Sequence, residues 1–434
     1  GPTTIELPRQ KVRLEAVAGL ETERAVVELD LTDQETRELS VPLGRFSDFR
    51  RDGWYSANTH LHLRDLSRAE ADRYLREIPA ADGLDVLFIS HLERADDDRS
   101  YITNQYPVGR LQMLETSGVL LANGEEHRHN FGPQDEGYGH VMLLGIKELV
   151  QPVSIGYGIS RKHPDAPVIR AGIDTAHEQG GTAIWCHNNW GFEDVPNWLT
   201  GKLDAQNIFD GGSHGNYADS FYHYLNAGLR VPFSTGTDWF IYDFARAYAH
   251  VEGELTPESW LAALRAGRTF ISNGPLLEFR VNASEPGDTV GLEQAGELSI
   301  IASARGRLAF GQLELIRNGR VVETAGAQVR DGHYEATLNL KLPVSESCWL
   351  AARITTTGKN EYGQPLFAHT SPVYVTLNGR AVRLDRDIQF LLGELESARS
   401  TIAAKSHFDN DAQRDQVLGN YDRAIAELKS RRGN

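Results

Sequence analysis

Cysteine is scarce: the 434 residues contain two, Cys186 and Cys348, far apart in the chain. That argues against a disulfide framework and against a cysteine-based zinc finger. No apolar run approaches the roughly 20 residues of a membrane helix, so no membrane span is expected. Positive charge is in deficit, with 44 Lys and Arg against 60 Asp and Glu and a net charge of -16. Such a field does not attract a nucleic-acid backbone or an anionic membrane. It leaves room for an anionic small substrate, because a bound metal dominates its local field. No Gly-x-x-x-x-Gly-Lys-Ser/Thr loop and no Gly-x-Ser-x-Gly elbow occurs. Gly156-Tyr157-Gly158-Ile159-Ser160 lacks the remaining glycine and the lysine of a phosphate loop and reads as a plain loop. An initiator Met is also missing, and Gly1-Pro2 reads as a protease scar. Localisation stays open: a trimmed signal peptide would make the protein periplasmic or secreted.

What is present is a globular composition. Hydrophobic residues make up 40% and charged residues 24%, enough for a sizeable soluble core. Four segments are expected. Residues 1–50 carry strand-like alternation at 11–43 and either pair with a later β-region or form a small separate sheet. Residues 51–275 alternate apolar runs (85–90, 119–122, 140–144, 182–186, 231–234) with helical stretches (67–78, 167–179, 257–266), which reads as a parallel α/β sheet or barrel. Residues 276–380 are β-rich, with hairpin turns at Asn318-Gly319 and Asp331-Gly332, and suggest a β-sandwich. Residues 381–434 form a helical hairpin broken near Phe408-Asp409-Asn410, whose apolar faces suit packing better than a membrane surface.

The chemistry-capable residues begin with Thr59-His60-Leu61-His62. In a strand, positions i and i+2 point to the same side, so His60 and His62 can share one metal ion. Alone, the pair is a weak signal and reads more readily as two surface or packed histidines. The other candidates sit where α/β folds build sites, at the carboxyl ends of apolar runs. His91 follows 86–90, Glu125-Glu126 follows 119–122, His187 follows 182–186 and Asp238 follows 231–237. Nitrogen and carboxylate ligands together suit one or two divalent ions of zinc, manganese or iron. Around them, His127, His129, His140, Glu193, His214, Tyr217, Tyr222, His223, Arg230 and Trp239 fall in loop or strand-end segments. Of these, Glu193, Tyr222, Arg230 and Trp239 are taken as substrate-binding. His91, His223 and His214, in that order, are taken as the catalytic proton donor.

These motifs resemble the PHP superfamily of metallohydrolases, in its CehA/McbA-like branch. The resemblance rests on His60-Leu61-His62, Ile89-Ser90-His91, Gly124-Glu125-Glu126, Gly139-His140 before an apolar strand, Trp185-Cys186-His187 and Gly236-Thr237-Asp238-Trp239-Phe240. It extends through Gly267-Arg268-Thr269-Phe270, Asn273-Gly274-Pro275 and Thr370-Ser371-Pro372 to cover most of residues 54–377. It implies a distorted (β/α)7 barrel followed by a β-sandwich and the C-terminal helical hairpin. It also implies one ion at His60, His62, Glu126 and Asp238 and a second at Glu126, His140 and His187. Glu126 is thereby preferred over Glu125. Phe240 stands where the family closes its motif with histidine, so a third ion is not expected.

The leading expectation is a hydrolase that uses a metal-bound hydroxide on a phosphoester, carboxylester or carbamate of a small molecule. One alternative is metal-assisted cleavage of a carbohydrate. The other is a non-catalytic glycan- or partner-binding protein on the same scaffold. The oligomeric state is not legible in the sequence.

Overall fold

The computed structural model describes residues 4–94, 101–131, 137–159, 163–187, 192–212 and 215–432. Among the described residues it is a mixed α/β protein whose large sheets are joined to seven α-helices, the last two forming a C-terminal pair. Helix starts follow local chemistry. Ser67 caps Arg68–Ala81 by a reciprocal box with Glu70, and Thr256 caps Pro257–Arg265, where Pro sits in the first turn.

The main sheet departs from the parallel arrangement expected. Trp54–Asn58, Val86–His91 and Leu120–His129 pair in parallel, as do Thr182–Trp185, Ala205–Asn207 and Phe233–Ser234. Between these two sets lies Gly139–Leu144, antiparallel to both Leu120–His129 and Thr182–Trp185. The reason is the connection: residues 130–138 are too few for a parallel crossover, which needs about a dozen or more. At the other flank, Arg246–His250 runs antiparallel to Trp54–Asn58, and Thr269–Ser272 antiparallel to Arg246–His250. Thr269 Oγ1 donates to the Phe233 carbonyl at 2.8 Å, and the Phe233 N–H donates to Ser371 Oγ at 2.8 Å. These bonds draw the two flanks of the sheet together.

Thr269–Ser272 also pairs with Ala368–Thr370, so the sheet runs directly into the β-rich region. There Leu276–Val281, Gly296–Gly306, His333–Val344 and Gln328–Arg330 form an antiparallel sheet. Its apolar face meets that of Gln312–Arg317, Cys348–Thr355 and Val373–Leu377, with Phe279, Leu298, Ile300, Leu313, Leu315, Leu350 and Val375 buried between. Lys11–Ala16 and Ala25–Asp30 pair with each other and with no other described strand, which makes them the small separate sheet.

Helices Asp385–Lys405 and Asp411–Ser430 bury Ile388, Leu391, Leu392, Leu395, Val417, Tyr421 and Leu428 in the main core. Among the described residues, no helix is long and apolar enough to cross a membrane. Glu193 ties the pair to the sheet region. Its fully buried carboxylate accepts from the Ile169 and Arg170 N–H groups at the start of Ile169–Glu178 and from Asn420 Nδ2 at 3.2 Å.

Burial raises the Glu193 pKa to about 7, against the opposing hydrogen bonds. The folded state therefore holds this proton more tightly than the unfolded chain. The stability it contributes is full below the ordinary carboxylate value of 4.5 and is lost as pH rises through about 7. Replacing Glu193 with Gln should flatten the fall of the thermal midpoint between pH 5 and pH 8. Glu193→Ala, which strands three donors, should destabilise by about 1–3 kcal/mol. Unfolding curves of both variants check this.

Candidate metal centre

His60 and His62 come together because the chain after Trp54–Asn58 is held extended by a second, short ladder. Leu61–His62 pairs in parallel with Asp238–Trp239, and the Asp238 N–H donates to the His60 carbonyl at 2.8 Å. This ladder places Asp238 beside both histidines. Asn58 steadies the join: its Oδ1 accepts from the His60 N–H at 3.1 Å, and its Nδ2 donates to Thr237 Oγ1 at 2.8 Å.

The ring orientations follow from the acceptors behind them. His62 Nδ1 lies 3.0 Å from the Ser90 carbonyl oxygen. A carbonyl only accepts, so Nδ1 carries the hydrogen. His60 Nδ1 lies 2.8 Å from Asp210 Oδ2, and His187 Nδ1 lies 2.8 Å from Asp210 Oδ1, which fixes the same tautomer in both. The Nε2 atoms of His60 and His62 then face each other at 3.1 Å, where at most one proton can fit between two lone pairs.

Carboxylates complete the group. Glu126 Oε2 is 2.9 Å from His62 Nε2 and 3.8 Å from His60 Nε2. Asp238 Oδ1 is 3.3 Å and 3.7 Å from His60 and His62 respectively. Ligands about 2.1 Å from one ion at tetrahedral angles are about 3.4 Å apart, and these separations bracket that spacing. A second group, Glu126, His140 and His187, adjoins the first, with Glu126 Oε1 at 3.1 Å from His140 Nδ1. Glu126 thus offers one oxygen to each group. The residues present fit one or two divalent ions.

Charge supports the same reading. Burial alone would lower the His60 pKa, but Asp238, Asp210 and Glu126 raise it well above 6.5. Burial raises Glu126 and Asp210, yet the Arg128 charge and the histidines around Glu126, and His187 and His60 around Asp210, bring both well below their ordinary values. Without an ion, the buried carboxylates are balanced by imidazole protons. A divalent cation supplies that charge in their place.

Strand alternation decides between the two glutamates. Along Leu120–His129, Glu126 faces the histidines, whereas Glu125 turns the other way, accepting from the Val150 N–H at 2.7 Å and meeting His127 Nδ1 at 3.1 Å. His129 likewise contacts Asp165, at 3.2 Å. His140 lies at the start of its strand because that strand is reversed, which sets its beginning beside its neighbours' ends.

The remaining candidates divide. His91 is mostly buried, and its pKa is lowered by burial despite Glu93, with His62 adding to the effect. Trp239 lies beside His62, ring centroids 5.2 Å apart, with the Arg64 guanidinium 4.7 Å over its ring and Tyr101 at 5.8 Å. Four others are engaged in contacts between structural elements. Glu193 holds the C-terminal pair, as described. His223 Nδ1 is 2.6 Å from Asp387 and its ring stacks on Phe390. Tyr222 meets His369 Nε2 at 2.8 Å and accepts from Arg353 at 3.0 Å, and it stacks on the buried Tyr217. Arg230 donates to Thr289 and Gly287 and covers Tyr374. Those contacts join the segments that carry these residues to the β-rich region or to the helices. His214 lies outside the described residues. Phe240 packs edge-on against Tyr74 at 5.7 Å.

Two participants escaped the sequence reading. Asp210 follows Ala205–Asn207, a three-residue polar strand with no apolar run to announce it. Gly211, with φ of +60°, passes so close that a Cβ would lie 3.1 Å from Asp238 Oδ2 and 3.2 Å from His187 Cε1.

No known protein-family model matches this chain, and no curated protein matches it.

Gly236 shows how tightly the centre is built. A Cβ there would stand 2.7 Å from the His60 backbone nitrogen and 2.8 Å from Asn58 Oδ1. Gly236→Ala should therefore displace His60, lower the affinity for Zn²⁺ at least tenfold and cost about 1–3 kcal/mol of stability. Chelator competition and thermal unfolding measure the two effects.

Proposed function

We propose that this protein is a divalent-metal-dependent hydrolase of ester-type bonds in a small molecule. The observation that carries the reading is the convergence of His60, His62, Glu126 and Asp238, with Glu126 shared by His140 and His187. The wrapped mixed sheet, the two facing β-sheets and the helical pair suit the distorted barrel, sandwich and hairpin of the PHP superfamily, which the motifs resemble.

His60, His62, Glu126 and Asp238 would hold one ion, and Glu126, His140 and His187 a second. Ions there supply an activated water and charge to polarise the scissile bond. The protein's own residues do the rest. Asp210 and the Ser90 carbonyl keep the imidazoles aimed. Trp239, with Arg64 over its ring, offers a flat cationic edge that can position a planar or anionic group. His91, which adjoins His62, is the residue proposed to pass a proton to the leaving group; burial lowers its pKa, which makes its protonated form scarcer but a stronger acid. A phosphoester, a carboxylester and a carbamate all fit this arrangement.

Elemental analysis of the purified chain should find one or two ions, and His60→Ala with His62→Ala should remove metal and turnover together. Undiminished turnover in the metal-free double variant would sink the mechanism. A panel of phosphoesters, carboxylesters, carbamates and glycosides then sets the class. Turnover of glycosides alone, or tight glycan binding without turnover of anything, overturns the ester reading. His91→Gln should lower kcat about 10²-fold or more while metal content and KM change little. Trp239→Ala should instead raise KM.

A further inference from the structure

Asp210 is a member of neither His60–His62–Glu126–Asp238 nor Glu126–His140–His187, though it forms a third close group with His60 and Cys186, and it contacts one histidine of each of the first two. Its side chain is fully buried, and neither oxygen faces solvent. One oxygen, Oδ2, holds His60 Nδ1 at 2.8 Å. The other, Oδ1, holds His187 Nδ1 at 2.8 Å and also accepts from the His187 backbone N–H at 3.1 Å. His60 belongs to one metal group and His187 to the other. A single rigid carboxylate therefore sets the tautomer and the ring direction of one ligand in each.

The backbone is shaped to hold it there. Phe209 on one side has φ of +57°, Gly211 and Gly212 on the other have +60° and +74°, and His187 itself has +62°. Left-handed conformations are costly for Phe and His and persist only where the surroundings impose them. Cys186 lies in the same corner near His60 and Asp210. Burial and then the Glu126, Asp210 and Asp238 charges raise its thiol well above the ordinary value.

We infer that Asp210 is a positioning residue that couples the two metal positions, so that an ion fixing His60 also orders His187 for the next. Glu126 joins the positions from the front by direct donation, and Asp210 joins them from behind through the two Nδ1 hydrogens. The glutamate bridge brings two like charges together and by itself opposes double loading. The Asp210 link works in the opposite sense, because the ordering cost of the second imidazole is met when the first ion binds. This inference rests on the metal-site reading above and concerns how that site fills.

The test is a stepwise titration of the metal-stripped full chain with Zn²⁺ against a chelator, repeated with Co²⁺ to record its visible spectrum. In Asp210→Asn the amide can accept from only one of the two Nδ1–H groups. Both stepwise affinities should fall together, on the order of 10–100-fold each, and the Co²⁺ bands should change in shape at full loading. A loss confined to one step, or unchanged affinities with an unchanged spectrum, overturns the coupling. If the Asn variant does not fold, Asp210→Glu serves, since it keeps the charge and moves the carboxylate by one methylene. The same joint loss is expected, and a loss at one step alone overturns the inference. Wild-type chain that takes up no Zn²⁺ fails the metal reading itself, whereas metal uptake indifferent to Asp210 fails only the coupling.

Discussion

The centre depends on a charge balance enforced by burial. Glu126, Asp210 and Asp238 lie within reach of His60, His62 and His187 in a pocket almost closed to water. Buried carboxylates are tolerated only when paired, and the available partners are imidazoles. Because acceptors behind them occupy Nδ1 of His60, His62 and His187, the rings have one nitrogen left to answer the carboxylates in front. The same few atoms therefore choose between protons and a cation, and the fold around them keeps that choice open by preventing collapse.

Much of the scaffold can be understood as the means of holding those atoms. The reversed strand Gly139–Leu144 brings His140 to the site from a direction its parallel neighbours cannot supply. The short Leu61–His62 ladder with Asp238–Trp239 leaves the main sheet so that two histidines and an aspartate meet. The β-rich region and the C-terminal helices contribute support from outside, through Tyr222, Arg230, His223 and Glu193. Tyr222 and Glu193 are buried and His223 is half-buried where they cross between elements, whereas Arg230 stays exposed.

What the sequence made legible follows from the same physics. Apolar runs expose strands, so His91, His187 and Asp238 at their ends stood out by position alone. The helical pair was legible because each helix buries one continuous apolar face. The reversed strand was hidden, since pattern carries no direction. So was the second half of Leu120–His129: apart from Gly124, Asn123 to His129 is polar, yet it is buried. Asp210 was hidden for a related reason. Its strand is short and polar, and its value lies in what it holds rather than in what it could bind.

Backbone strain adds an independent argument that the site was shaped for more than stability. His187 and Asp238 both have φ of +62°, a conformation that costs side chains with a Cβ energy and that glycine would adopt freely. A fold selected for stability alone would place glycine or asparagine there. The strain is held by specific bonds: Asp210 accepts from the His187 N–H, and the His60 carbonyl accepts from the Asp238 N–H. Those bonds belong to the residues that orient the ligands. The interactions that aim the imidazoles and the interactions that hold the strained backbone are thus the same set, so relaxing one part of the centre disorders the rest.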